Sequence, residues 1–294
     1  MTARNGRFLV GLIGSGIGTS LSPALHEREA GKLGLAYQYR LLDLNELGVP
    51  VGEVVAAARL AGFDGLNITH PVKQLVLAHL DALSPDAAAL AAVNTVVFTG
   101  QEAIGHNTDL PGFARGLTAG LPDAALDRVV VLGAGGAGAA VTHALLSLGA
   151  RELRVFDVDR ERAETLVASL TARFGEGRAT AEPLAALADA TRAADGLVHA
   201  TPTGMEGHPG LPLPADLLHP KLWVADVVYR PLDTELLIAA RAHGCRVLGG
   251  GRMAVFQAAG SFRLFTGLEP DVERMLRHFD SLTTQGRVAA HAHR

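Results

Sequence analysis

Arg128-Val-Val-Val-Leu-Gly-Ala-Gly-Gly-Ala-Gly138 is the stretch whose reading decides the fold. Its branched apolar residues predict a buried strand. Gly133-x-Gly135-x-x-Gly138 predicts a tight turn, and the uncharged, Ala- and Leu-rich run to Ala150 predicts a helix. In such a unit the first glycine permits the turn, the second lets backbone approach a pyrophosphate, and the third lets helix and strand pack closely. The N–H groups of the first helical turn, where Gly136 and Ala137 stand, then face the phosphates with the positive end of the helix dipole behind them. Glycine triplets are a weak signal in a chain with 34 glycines. Here a second strand follows, Leu153-Arg-Val-Phe-Asp157. It ends in an acid roughly 20 residues after the last glycine, as a dinucleotide-binding fold requires.

Asp157 sharpens the cofactor expectation. A carboxylate at this place accepts hydrogen bonds from the adenosine ribose hydroxyls and repels a 2′-phosphate. No arginine stands at 156 to 159 to receive that phosphate, although Arg160 and Arg162 follow and Arg162 can cover the adenine. NAD is therefore expected rather than NADP.

The 294 residues suit two domains of ~150 residues each. With 48% hydrophobic residues there is ample material for two cores. A net charge of −4 offers no electrostatic footprint for nucleic acid or an anionic membrane surface. Val129 to Ala150 is uncharged and long enough to span a bilayer, but its glycine cluster would interrupt a spanning helix. One cysteine, Cys245, excludes an intrachain disulfide, and the histidines lack the paired spacing of a metal site, so no metal is expected. The segment Met1 to Arg7 has no signal-peptide character, and a cytoplasmic location is expected.

Strands and helices alternate along the chain, which indicates α/β architecture with mostly parallel sheets. Strands are expected at Phe8–Ile13, Tyr37–Asp43 and Phe63–Thr69, with a hairpin-type pair at Thr95–Phe98 and Ala103–Gly105. Helices are expected from Ser22-Pro23, with Ser22 as N-cap, and over Val51–Ala61, Val72–Leu80 and Pro85–Leu90. The second half supplies strands at Leu153–Asp157, Gly196–Ala200, Leu222–Val228 and Arg246–Leu248. Helical spacing returns over Met253–Phe265 and Val272–Leu282, and a frayed tail is expected from Thr283 to His291 and His293. The expected division is a substrate domain over 1–110, completed by C-terminal helices within 252–294, and a doubly wound dinucleotide domain over 111–251.

Several short polar motifs stand at strand ends or loops: Ser20-Leu-Ser22-Pro23, Asn67-Ile-Thr69-His-Pro-Val-Lys73, Val93-Asn94-Thr95 and Gly105-His-Asn107-Thr-Asp109. Each alone has an ordinary explanation as a cap, a turn or a solvated charge. Asp109, for example, could cap a helix starting at Pro111. Together, and followed by Gly133-Ala-Gly-Gly-Ala137, Ala200-Thr-Pro-Thr-Gly-Met205, Asp226-Val-Val-Tyr229-Arg-Pro231 and Gly250-x-x-Met253-x-x-x-Gln257, they resemble the shikimate dehydrogenase family over nearly the whole chain. The match is most similar to the quinate/shikimate branch, in which an acid stands where Asp157 does.

The resemblance implies a small cyclic carboxylate substrate bearing several hydroxyls. Ser20 and Ser22, beside a helix start, would bind its carboxylate, with Tyr229 donating a further bond. Thr69, Asn94 and Gln257 would serve its hydroxyls. Lys73 and Asp109 would flank the carbinol that becomes the ketone, Lys73 exchanging the proton and Asp109 assisting. On the cofactor side the matched motifs add Thr201, Val228, Gly250 and Met253 to the glycine loop, Asp157 and Arg162. The implied activity is NAD-dependent oxidation of quinate or shikimate. Aminoshikimate-type dehydrogenation and a non-catalytic metabolite-binding role stay open, as does a homodimer. Cys245 and the loop histidines His70 and His106 are read as packing and local loop chemistry.

Overall fold

The computed structural model describes the backbone of residues 6–292 and the side chains through 284. Two compact units emerge. One contains the described residues up to Thr108 and from Gln257 onward, and the other is Asp109–Phe256. Sequence reading puts the divisions at 110 and 251.

The first unit is built on β1 (Arg7–Gly14), α1 (Ser22–Lys32), β2 (Ala36–Asp43), α2 (Leu44–Leu47), α3 (Val51–Leu60), β3 (Gly65–Ile68), β4 (Ala82–Leu83), α4 (Pro85–Leu90), β5 (Thr95–Thr99) and β6 (Glu102–His106). Its six-stranded sheet has the order β2-β1-β3-β5-β6-β4. β1 runs parallel to β2 and β3, whereas β5 is antiparallel to both β3 and β6. Ile13, Leu66, Val93 and Val96 are fully buried in its core. Burying each such side chain contributes roughly 1.5–3 kcal/mol.

Two helix expectations change here. Ser22 is the first residue of α1 and not its cap; Leu21 is the N-cap and makes no side-chain cap bond. The Ser20 hydroxyl accepts the Ser22 N–H at 3.2 Å, so the serine two residues earlier serves that donor. The segment Val72–Leu80 forms only a short 3-10 helix at Leu75–His79. Val72 and Val76 are buried while Leu75 is 61% exposed, so the segment has too narrow an apolar face to support a longer helix.

The second unit opens with α5 (Asp109–Gly120), so Asp109 lies in the first turn of this helix and does not cap one beginning at Pro111. There follow β7 (Arg128–Leu132), α6 (Gly136–Ser147), β8 (Glu152–Phe156), α7 (Arg160–Phe174), β9 (Ala179–Ala181), α8 (Leu187–Ala193), β10 (Gly196–His199), β11 (Trp223–Asp226), α9 (Glu235–Ala242) and β12 (Arg246–Leu248). All six strands are parallel, in the order β12-β11-β10-β7-β8-β9. The chain therefore winds outward from β7 in one direction, returns, and winds outward from β10 in the other. The crevice at the carboxyl ends of β7 and β10 is the topological switch point, where open α/β sheets bind ligands. The uncharged run Val129 to Ala150 resolves into β7, the glycine turn and α6. Among the described residues no helix is long and apolar enough to cross a membrane.

α10 (Gly250–Thr266) passes from the second unit into the first, and α11 (Val272–Ala292) stays in the first. The later part of α10 belongs with α1 and β2 because Phe262 stacks on Tyr37 at 5.6 Å, with His26 packed against both rings. α11 is tied to α1 by Arg274, whose Nε and Nη2 donate to the two oxygens of buried Glu29 at 2.8 and 2.6 Å. Where a frayed tail is expected from Thr283, the described backbone is helical through Ala292. Thr283 and Thr284 donate their hydroxyls to helix carbonyls one turn back, which keeps these polar side chains on the helix surface. The side chain of His291, and His293 altogether, lie outside the described residues.

Candidate active site

The glycine turn has the geometry its spacing implies. Gly133 has φ +102°, and a Cβ there would stand 2.6 Å from the Ala200 carbonyl oxygen. A Cβ on Gly138 would collide with the Gly133 carbonyl, so only glycine lets α6 sit this close to the end of β7. Gly135 is the N-cap of α6 and offers no side-chain cap. Nothing lies within 4 Å of where a Cβ on Gly135 or Gly136 would point. The first-turn N–H groups of Gly136, Ala137 and Gly138 have no intrahelical acceptors. This open, donor-rich helix start fits a pyrophosphate.

Asp157 follows β8 and its side chain is only 6% exposed. One carboxylate oxygen accepts the Ala134 N–H at 2.7 Å and the other accepts the Asp159 N–H at 2.8 Å. Arg162 places Nη1 at 3.8 Å from Asp157 and Nη2 at 3.2 Å from Asp159, so two carboxylates share this guanidinium. Across the switch point, Thr201 follows β10 with its methyl group beside Gly133. Val228 follows β11 and donates its N–H to Asp226 at 3.0 Å. Gly250 starts α10 against the carbonyls of Val227 and Val228, with Met253 one turn on. Thus the residues singled out for the dinucleotide gather at the carboxyl edge of this sheet or just beyond it. Tyr229 and Asp109 also lie in this unit, half-buried and buried respectively.

In the first unit, topology gathers the polar motifs at one sheet edge. β1 and β3 end there. Because β5 is antiparallel it begins there, with Thr95 opposite both Asn67 and His106. The loops after β1 and β3 are fastened together, with Ser15 N–H donating to the His70 carbonyl at 3.1 Å and Thr69 N–H to the Ile13 carbonyl at 2.9 Å. Val93 N–H donates to the Lys73 carbonyl at 2.9 Å, which anchors the Thr69-to-Lys73 loop beside Asn94. Buried Asn94 accepts the Thr108 N–H at 2.8 Å and donates to Thr108 Oγ1 at 2.9 Å and Gln257 Oε1 at 3.5 Å. Ser20, Ser22, Thr69, Lys73 and Gln257 are all half-buried on this unit.

Relatives decide the family. A shikimate dehydrogenase (NADP(+)) of Streptomyces avermitilis is 65% identical over 96% of this chain and 98% of its own length. The chain belongs to the shikimate dehydrogenase family. A shikimate dehydrogenase substrate-binding domain profile matches residues 12–96, and a shikimate 5′-dehydrogenase C-terminal domain profile matches residues 251–278. A quinate/shikimate dehydrogenase (NAD(+)) of Corynebacterium efficiens is 50% identical over 93% of this chain and 98% of its own. Among solved structures, quinate dehydrogenase from Corynebacterium glutamicum in complex with NAD superposes with a TM-score of 0.89 at 48% identity, covering 94% of this chain and 99% of that one. The family's two-domain α/β architecture is the one described above.

Some supporting residues were given no site role by the sequence. Asp43, at the end of β2, accepts the N–H groups of Gly16 and Ile17 and so shapes the loop that leads to Ser20. Burial pulls its carboxyl pKa up, but the N–H bonds from Asn45, Ile17 and Gly16 outweigh that and hold it below the ordinary value. Tyr39 donates its hydroxyl to Asn67 at 2.8 Å, and Asn67 donates onward to Thr95 at 3.1 Å. His199 and Asp226 end β10 and β11 and bond to each other. A polar residue closing an otherwise apolar strand was the available signal, since buried polar groups need partners.

Proposed function

We propose that this chain reversibly oxidises shikimate, quinate or both to the 3-dehydro ketone, with NAD as the preferred cofactor. The observation that carries the cofactor reading is the environment of Asp157. Its oxygens retain lone pairs for ribose hydroxyls beyond the two backbone bonds. Its negative charge would oppose a 2′-phosphate at the same place, and Arg162, already shared by Asp157 and Asp159, is a poor counter-ion for one. Relatives named for NADP and for NAD both resemble this chain, so the distinction rests on these side chains.

When bound, the nicotinamide supplies the hydride acceptor. The remaining chemistry is assigned to this chain's own groups. Ser20, Ser22 and Tyr229 hold the substrate carboxylate, while Thr69, Asn94 and Gln257 meet its hydroxyls. Lys73 takes the carbinol proton during oxidation and returns it during reduction, with Asp109 assisting. Gly133, Gly135, Gly136, Ala137, Gly138, Asp157, Arg162, Thr201, Val228, Gly250 and Met253 form the dinucleotide site. No step calls for a metal, and among the described residues no cluster of three or more His, Cys, Asp or Glu is arranged to hold one.

Steady-state oxidation of shikimate, quinate and aminoshikimate with NAD and NADP at alkaline pH tests this reading. The expected result is turnover of shikimate or quinate with an NAD preference of at least ~100-fold in kcat/KM, about 2.7 kcal/mol. Equal use of both cofactors, or activity confined to aminoshikimate, would overturn it.

A further inference from the structure

His199 and Asp226 are register partners at the carboxyl ends of β10 and β11, and both are buried. His199 Nδ1 lies 2.9 Å from Asp226 Oδ1. On the other side of the ring, Nε2 meets the Thr201 hydroxyl at 2.5 Å. With Nδ1–H donating to the carboxylate, Nε2 is left to accept the Thr201 proton. The Thr201 oxygen in turn accepts the Thr203 N–H at 3.3 Å. Asp226 also accepts the Val228 N–H at 3.0 Å and the hydroxyl of fully buried Thr234 at 2.7 Å. One connected network therefore runs from the loop after β10, through an imidazole and a carboxylate, to the loop after β11.

Packing alone does not call for this arrangement. Leu197 and Val198, which precede His199, are wholly apolar and wholly buried. Well-packed apolar residues can replace a buried polar pair without loss of stability. What the network adds is fixed loop geometry, and both loops touch other parts of the dinucleotide site. Ala200 and Thr201 lie against Gly133, and the carbonyls of Val227 and Val228 lie against Gly250.

We propose that His199 is a positioning residue for hydride transfer, locking the loops that follow β10 and β11 into the single arrangement the reaction uses. The proposal rests on the dinucleotide reading given above. With the adenosine half held at Asp157 after β8 and the pyrophosphate at the start of α6, the other half of the dinucleotide would lie over the ends of β10 and β11, the strands on the far side of β7. Displacing the Thr201 loop would misalign the reacting half of the cofactor while leaving the proposed adenosine and phosphate contacts in place.

The test uses the full-length chain with His199→Phe, His199→Asn, Thr201→Val and the double variant His199→Phe/Thr201→Val. Shikimate deuterated at the reacting carbon reports the hydride step, and fluorescence titration reports NADH binding. His199→Phe should lower kcat about 10- to 100-fold and raise the isotope effect on kcat, the scale expected for misplacement without loss of a reacting group. The KM for shikimate and the Kd for NADH should move by less than about threefold. His199→Asn, which keeps a donor near Asp226, should lose less. Thr201→Val should lower kcat by a similar factor and also weaken NADH binding, because Thr201 itself stands in the proposed dinucleotide site; in kcat the double variant should be little worse than either, because both cut one link. Wild-type kcat in His199→Phe and Thr201→Val, losses that multiply in the double variant, or a loss expressed wholly as weaker NADH binding would overturn the proposal. If His199→Phe fails to fold, Thr201→Val and His199→Asn decide by the same criteria. A wild-type chain that oxidises neither acid overturns the functional reading instead. In that event amide exchange at Thr203 and Val228 decides whether the network holds the loops: faster exchange in Thr201→Val or His199→Asn supports it, and unchanged exchange ends it.

Discussion

Asp157 accepts the backbone N–H of Ala134 at 2.7 Å, so the acid that follows β8 is bonded directly to the glycine turn that follows β7. The residue proposed to select the cofactor thus also helps to shape the loop proposed to hold its phosphates. Asp157→Asn keeps an oxygen for Ala134 but removes the charge. It should bring the NAD/NADP ratio of kcat/KM down by at least about 10-fold, corresponding to about 1.4 kcal/mol. Steady-state kinetics with both cofactors checks this, and an unchanged ratio would mean that selectivity lies elsewhere.

Lys73 separates proton transfer from simple anchoring. As the acid/base, its replacement by Ala should lower kcat ~10²–10⁴-fold. Affinity for NADH should barely change, because the dinucleotide residues belong to the other unit. A raised KM with kcat largely retained would reassign Lys73 as an anchor for a substrate hydroxyl.

Ser22→Ala probes carboxylate binding. The carboxylate is remote from the reacting carbinol, so its contacts are similar in ground and transition states and their loss falls mainly on KM. An increase of about 10-fold is expected for one hydrogen bond to a charged group. Ser20→Ala should do the same and, because the Ser20 oxygen also accepts the Ser22 N–H, should weaken the start of α1 slightly. A fall in kcat alone would contradict the assignment.

His26 gives the first unit a pH-dependent stability. It is fully buried among Tyr37, Tyr39, Phe262 and Phe265, and burial holds its pKa down to about 3 from an ordinary value of 6.5. Between those values the unfolded chain binds a proton that the folded chain does not. The stability this provides is therefore complete above pH 6.5 and declines as pH falls towards 3, by at most about 1.4 kcal/mol per pH unit. Urea denaturation from pH 7 to pH 5 should show wild type losing more stability than His26→Gln. Parallel pH dependence in the two proteins would rule His26 out as the source.

Sequence alone determined the dinucleotide half, because its signals are local. Strand, glycine turn and helix are contiguous from Arg128 to Ser147, and Asp157 follows at a distance set by one intervening helix. The motifs of the other half were also legible, but not how they meet. That depended on β5 running antiparallel, which brings Asn94 to the edge where β1 and β3 end, and on α10, which carries Gln257 to within a hydrogen bond of Asn94 across 163 positions. Likewise His199 and Asp226 stand 27 residues apart, on strands without periodicity to relate them. Local spacing encodes turns, caps and helix starts because backbone geometry acts over a few residues. Which polar side chains become mutual partners is decided by strand order and register, and those emerge only when the sheets assemble.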